Sequence, residues 1–124
     1  MKPHERLGEA RTPNGTLIAL YRHDGAYLIR ADGVELMSTR RHHSEDQLAD
    51  IACAPLREVS QRRVLIGGLG LGFTLRAALR QLREDAEVVV AELVPEVVPG
   101  IPIRAMACRS RRWAIPASAW CRMT

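Results

Sequence analysis

Residues 62–92 carry the pattern that most restricts what this chain can fold into. Arg62 and Arg63 precede Val64-Leu65-Ile66, and Gly67-Gly68-Leu69-Gly70-Leu71-Gly72 follows without a break. Residues 73–83 (FTLRAALRQLR) repeat at helical period, with Leu75, Ala78, Leu79 and Leu82 on one face and Arg76, Arg80 and Arg83 on the other. After Glu84-Asp85, a second apolar run at 86–91 (AEVVVA) ends on Glu92. Short apolar runs without polar alternation predict strands buried on both faces, joined in parallel through the helix. The unit therefore reads strand, glycine loop, helix, strand, acid.

Each part of that unit suits a nucleoside ligand. Glycines at 67, 68, 70 and 72 let a backbone turn sharply and lie close to a ligand where a Cβ would collide. The helix behind the loop offers unpaired N–H groups to an electronegative atom. Glu92, twenty residues after Gly72, falls at the tip of the second strand, where a carboxylate can accept the hydroxyl hydrogens of an adenosine ribose. The spacing separates ligand classes. A dinucleotide fingerprint needs G-x-G-x-x-G, and here the last glycine comes one residue early; a phosphate loop needs Gly-Lys-Ser/Thr, which is absent. The compressed G-x-G-x-G with a distal acid points to a ligand of the S-adenosylmethionine type, bound through Gly67, Gly68, Gly70, Gly72 and Glu92.

Upstream, residues 16–22 (TLIALYR), 26–31 (AYLIRA) and 34–37 (VELM) are separated by Asp24-Gly25 and Asp32-Gly33. Asp-Gly between apolar runs predicts hairpins, so these segments form a small antiparallel meander. Ser44 is the expected cap of a following helix, with Glu45 and Asp46 in its first turn, Leu48, Ile51 and Ala52 on its apolar face, and Pro55 at its end. His42-His43, Arg40-Arg41 and Arg62-Arg63 read as solvent-facing, and Cys53 as a packing residue.

Composition sorts the remaining function classes. Apolar residues make up 47% of the chain and aromatics 4%, so the core is aliphatic. No apolar run approaches the roughly 20 residues of a membrane helix. The N-terminal fifteen residues lack the apolar stretch of a secretory signal, so a cytoplasmic protein is expected. Cys53, Cys108 and Cys121 follow no metal-ligand spacing, so free thiols and no metal are expected. The net charge of +4 is not spread evenly. Residues 1–98 hold Lys2 and twelve arginines against all fourteen acids, whereas residues 99–124 hold five arginines and no acid. The basicity belongs to the tail, and a nucleic-acid partner is not expected.

The chain resembles the spermidine synthase (polyamine aminopropyltransferase) family, in particular its short bacterial members. The resemblance runs from about residue 11 to residue 98, through the 32–37 segment (DGVELM), Ser44-Glu45, the 64–76 run (VLIGGLGLGFTLR) and the 89–98 run (VVAELVPEVV). It implies an α/β fold with an N-terminal antiparallel β-meander, followed by a Rossmann-like domain of the S-adenosylmethionine-dependent methyltransferase type, here truncated. It also implies a transferase whose co-substrate is decarboxylated S-adenosylmethionine or S-adenosylmethionine, with Glu92 on the ribose, Glu45 near a polyamine, and a possible homodimer. The departures are a loop with Leu69 and Leu71 and no aspartate, and His43-Ser44 in place of Tyr-His before Glu45. The family's catalytic aspartate falls downstream of the matched segment, so no catalytic residue is assigned. Lacking it, the chain is expected to bind an adenosyl ligand without turnover. A non-catalytic adenosyl-binding module and an S-adenosylmethionine-dependent methyltransferase are the alternatives.

The expected organisation is a meander and linker over residues 1–45, the first β-α-β of a nucleotide-binding domain over 46–98, and a basic tail over 99–124. The tail holds both tryptophans and two of the three cysteines, without acid or period. That composition is what a GC-rich gene yields out of frame, and the tail is expected to be out-of-frame or disordered. Two strands and one helix would then leave residues 64–66 and 88–90 poorly covered.

Overall fold

The fold is taken from a computed structural model, which describes residues 2–92, 94 and 113–114. Four antiparallel strands come first, in spatial order β1 (Glu5–Arg11), β2 (Leu17–His23), β3 (Ala26–Ala31) and β4 (Val34–Ser38). Both Asp-Gly turns have positive φ at each central residue, 48° and 77° at Asp24-Gly25 and 47° and 84° at Asp32-Gly33. This is the type I′ geometry whose twist matches that of the flanking strands. Asp32 also ties its turn to β2, accepting a bond from the Leu17 N–H at 2.9 Å.

Strand β1 was not anticipated. ERLGEAR has only Leu7 and Ala10 as apolar anchors, and a bulge between Arg6 and Gly8 breaks the alternation that reveals a strand. It is held by its register on β2, including the Glu5–Arg22 ion pair across the two strands. The same pair raises the Arg22 pKa, through the hydrogen bond first and the Glu5 charge second.

Helix α1 (His43–Cys53) starts two residues earlier than Ser44 capping requires. Its cap is His42, without a capping side chain; the Ser44 hydroxyl instead donates to the Glu45 carboxylate at 3.0 Å. The buried side of α1 is also different from the expected one. Leu48 and Ile51 are 62% and 73% exposed, while Ala49 and Cys53 face inward. Small residues let α1 lie close against α2 (Phe73–Gln81), which larger side chains would prevent. The two helices run in the same direction: the Thr74 hydroxyl reaches the Glu45 carbonyl near their starts, and the Gln81 amide donates to Asp50 further along. Pro55 does not stop the chain abruptly, because a 3-10 turn continues through Ala54–Leu56.

The second sheet has the order β5 (Arg63–Gly67), β6 (Glu87–Ala91) and β7 (Trp113–Ala114), all parallel. No strand was expected in the tail, yet Trp113–Ala114 pairs with Val88 and Val89. The rest of the tail expectation, at 99–112 and 115–124, lies outside the described residues. The parallel register places Val64, Ile66, Val88 and Val90 on one face and Leu65 and Val89 on the other. The first face joins Leu75 and Leu79 of α2 in the core, and Val88 and Val90 are fully buried. Poor covering holds only for the second face, where Leu65 is 71% exposed. Leu20 and Ile29 of the meander belong to the same core, so the two sheets share one hydrophobic interior.

Candidate nucleoside site at the glycine loop

The loop after β5 is shaped by backbone geometry more than by side chains. Gly68, Gly70 and Gly72 all have positive φ, at 84°, 53° and 85°. Two leucines alternate with them, and both turn inward and are buried. Leucine at 69 and 71 therefore anchors the loop to the core and leaves its backbone as the outward surface. Gly70 is constrained twice over. Its φ lies in the left-handed region, and a Cβ there would come within 2.7 Å of the Met37 sulfur. Met37, at the end of β4, is thus the residue by which the meander closes onto the loop.

Glu92 lies at the carboxyl end of β6 and reaches across to this loop. One carboxylate oxygen accepts the Leu69 N–H at 2.7 Å, and the other accepts the Val94 N–H at 2.9 Å. The Gly68 N–H meanwhile donates to the Ala91 carbonyl at 2.7 Å, continuing the β5–β6 ladder. Each Glu92 oxygen has one backbone donor and keeps lone-pair capacity for a hydroxyl hydrogen. The carboxylate thereby has a fixed position beside the loop, at the carboxyl ends of two parallel strands, where open α/β sheets bind their ligands.

Helix α2 begins at the loop. Gly72 is its cap, with no capping side chain and no acid in the first turn. The N-terminus of α1 lies alongside, which brings Glu45, half-buried, near Thr74. The residues singled out from sequence are thus brought to one end of the molecule. Gly67 closes β5, the three loop glycines follow, Glu92 is bonded to the loop, and Glu45 stands one helix away.

Neighbouring contacts differ from the sequence reading. His42 is half-buried rather than solvent-facing: its Nδ1 lies 2.7 Å from the Asp46 carboxylate and its ring stacks on Phe73 at 4.0 Å. The i,i+4 spacing of His42 and Asp46 was the available signal. Arg76 was expected in solvent with Arg80 and Arg83, but its guanidinium lies over the Phe73 ring at 4.9 Å and 4.0 Å from Asp46. Arg40, Arg41, Arg62, Arg63 and His43 are exposed, as read. Cys53 is buried, and desolvation first, then the Asp50 charge, raises its thiol pKa. Among the described residues, no three His, Cys, Asp or Glu side chains gather as metal ligands. None of the described helices is long and apolar enough to cross a membrane.

No family model matches the chain, and no curated protein matches it. Solved structures do. A spermidine synthase in complex with the transition-state analogue AdoDATO superposes with a TM-score of 0.59 at 17% identity, over 90% of this chain and 40% of that one. A spermidine synthase from Thermotoga maritima gives the same values. A probable spermidine synthase from Corynebacterium glutamicum gives a TM-score of 0.55 at 17% identity, over 88% and 43%. At this identity the likeness is one of fold. The chain is a mixed α/β arrangement similar to the N-terminal region of spermidine synthases, and it spans about two fifths of their length.

Proposed function

We propose that this chain binds the adenosyl part of an S-adenosyl donor at the glycine loop, with Glu92 accepting the ribose hydroxyls. The observation that carries the reading is the fixed Glu92 carboxylate, held by backbone donors on two sides at the carboxyl ends of β5 and β6. The fold likeness to spermidine synthases favours decarboxylated S-adenosylmethionine, or S-adenosylmethionine itself, as the donor. In this reading β5, α2 and β6 open a Rossmann-like domain of the methyltransferase type behind the meander. Glu45, beside the start of α2, is the residue we assign to the amine acceptor's side of the site.

Aminopropyl transfer to a polyamine is the activity proposed for a complete protein of this architecture. That reaction needs a base to take the proton of the attacking amine. Donor binding is the activity we assign to the residues present, working in the cytoplasm.

Isothermal titration calorimetry tests the reading with S-adenosylmethionine, its decarboxylated form, 5′-methylthioadenosine and the 2′-deoxy analogue of the last. Loss of one ribose hydroxyl removes a charge-assisted hydrogen bond and leaves the carboxylate short of a partner, so binding should weaken by about tenfold or more. Equal affinity for the 2′-deoxy and the parent compound would remove Glu92 from the ribose.

A further inference from the structure

The meander has a second face, turned away from the core, whose chemistry the glycine-loop site does not use. Leu20 and Ile29 point inward, whereas the register of β2 and β3 sets His23, Tyr21 and Arg30 on the opposite side with Ala26 and Leu28. A cavity of about 230 Å³ opens there, with His4, His23, Arg30, Arg40 and Arg41 around it and Glu35 as its one carboxylate. Ala26 and Leu28 supply an apolar floor.

Arg30, Arg40 and the two histidines of this cavity are held by neighbours, Arg41 is exposed, and the charges are unevenly compensated. Arg30 lies over the Tyr21 ring at 5.0 Å with one guanidinium nitrogen 3.4 Å from His4 Nε2. His4 in turn stacks on His23 at 4.0 Å between ring centres. Arg40 donates to the Asp24 carbonyl and lies 3.8 Å from its carboxylate, which it shares with Lys2. Neither Arg30 nor Arg41 makes an ion pair among the described residues, although Glu35 stands opposite Arg30 in the β3–β4 register. Two guanidinium forks with open donors, next to a stacked imidazole pair and over a small apolar floor, form a receptor for a compact multivalent oxyanion. Desolvation first, and the neighbouring His23 and Arg30 charges second, lower the His4 pKa; a bound anion would oppose the two charge effects.

We propose that the outer face of the meander is a binding site for a phosphate dianion, free or as a small monoester, clamped by Arg30 and Arg41 with the His4–His23 pair alongside.

The test is an NMR titration of the full chain with inorganic phosphate and with methyl phosphate, ionic strength held constant with sodium chloride. The expected result is saturable shifts of the His4 and His23 ring protons and of the Arg30 and Arg41 side chains, with no saturable shift at Arg62 or Arg63. Equal binding of the two probes identifies the free anion as ligand, and tighter binding of methyl phosphate identifies an ester. Arg41→Gln, at an exposed side chain without an ion pair among the described residues, should weaken binding about tenfold, and His4→Gln provides a second variant in the stacked histidine pair. No saturable shift, an equal response at Arg62 and Arg63, or unchanged affinity in both variants overturns the site.

Discussion

The meander and the β5–α2–β6 unit are built from similar aliphatic residues, yet they are stabilised by contacts of different range. In the meander every strand pairs with its sequence neighbour through a short turn, and two of those turns have a geometry that Asp-Gly itself favours. In the second sheet β5 and β6 meet only after the chain has passed through α2, and β7 arrives from residue 113. Local pairing completes a sheet from within, whereas parallel pairing depends on distant segments to supply neighbours and cover. The exposure of Leu65 on the outer face of β5, beside fully buried Val88 and Val90 on the inner face, is the visible result. The two regions nevertheless share one core, so a substitution in either one reports on both.

The largest effect should come from paired core truncations. Leu75→Ala in α2 and Leu20→Ala in β2 each empty a fully buried site and should cost about 3 kcal/mol. Because both side chains lie in one cluster, each variant should shift a single unfolding transition in urea. A biphasic curve in either variant would show that the meander folds independently of the unit behind it.

Gly70→Ala comes next. It adds left-handed strain and makes the flexible end of Met37 shift aside, so a loss of about 1.5 kcal/mol is expected, most of it strain. Gly70→Ala should cost less in a Met37→Ala chain than in wild type, and thermal melts of the four chains measure the difference. An equal cost in both backgrounds would mean that Met37 does not close the loop. Gly33→Ala is the matching change in the meander, with positive φ but open space, and about 1 kcal/mol of destabilisation is expected there. The difference between the two glycine variants isolates crowding from strain.

The smallest effect belongs to the uncovered face. Leu65→Thr should change stability by no more than about 0.5 kcal/mol, since the side chain is already in solvent. A loss of more than about 2 kcal/mol in a concentration-dependent melt would show that this face is covered in solution.

The same division explains what could be read from the sequence. The Asp-Gly hairpins, the glycine loop and the apolar face of α2 follow from signals within a few residues, and the place of Glu92 at the end of β6 follows from the length of the strand-loop-helix-strand run. Leu75, Ala78 and Leu79 have helical period because α2 packs that stripe inward, and Leu82, in extended backbone just past its end, is buried as well. Helix α1 misled because its bulkier apolar residues, Leu48 and Ile51, are exposed, while Ala49 and Cys53, which carry little hydrophobic signal, make the close approach to α2. Strand β1 was hidden by its charges and its bulge. Met37 over Gly70, and Arg76 near Asp46 of α1, are contacts between separated elements for which no local pattern exists.

The central claim is that Glu92 and the glycine loop hold the ribose of an adenosyl ligand. Calorimetric titration of S-adenosylmethionine into the wild-type chain and the isosteric Glu92→Gln variant, with circular dichroism confirming that both remain folded, tests it most directly. Saturable binding to wild type and a loss of about tenfold or more in the variant are expected, because an amide cannot replace both carboxylate acceptors. Undiminished affinity in a folded Glu92→Gln chain, or no binding to wild type, would contradict it.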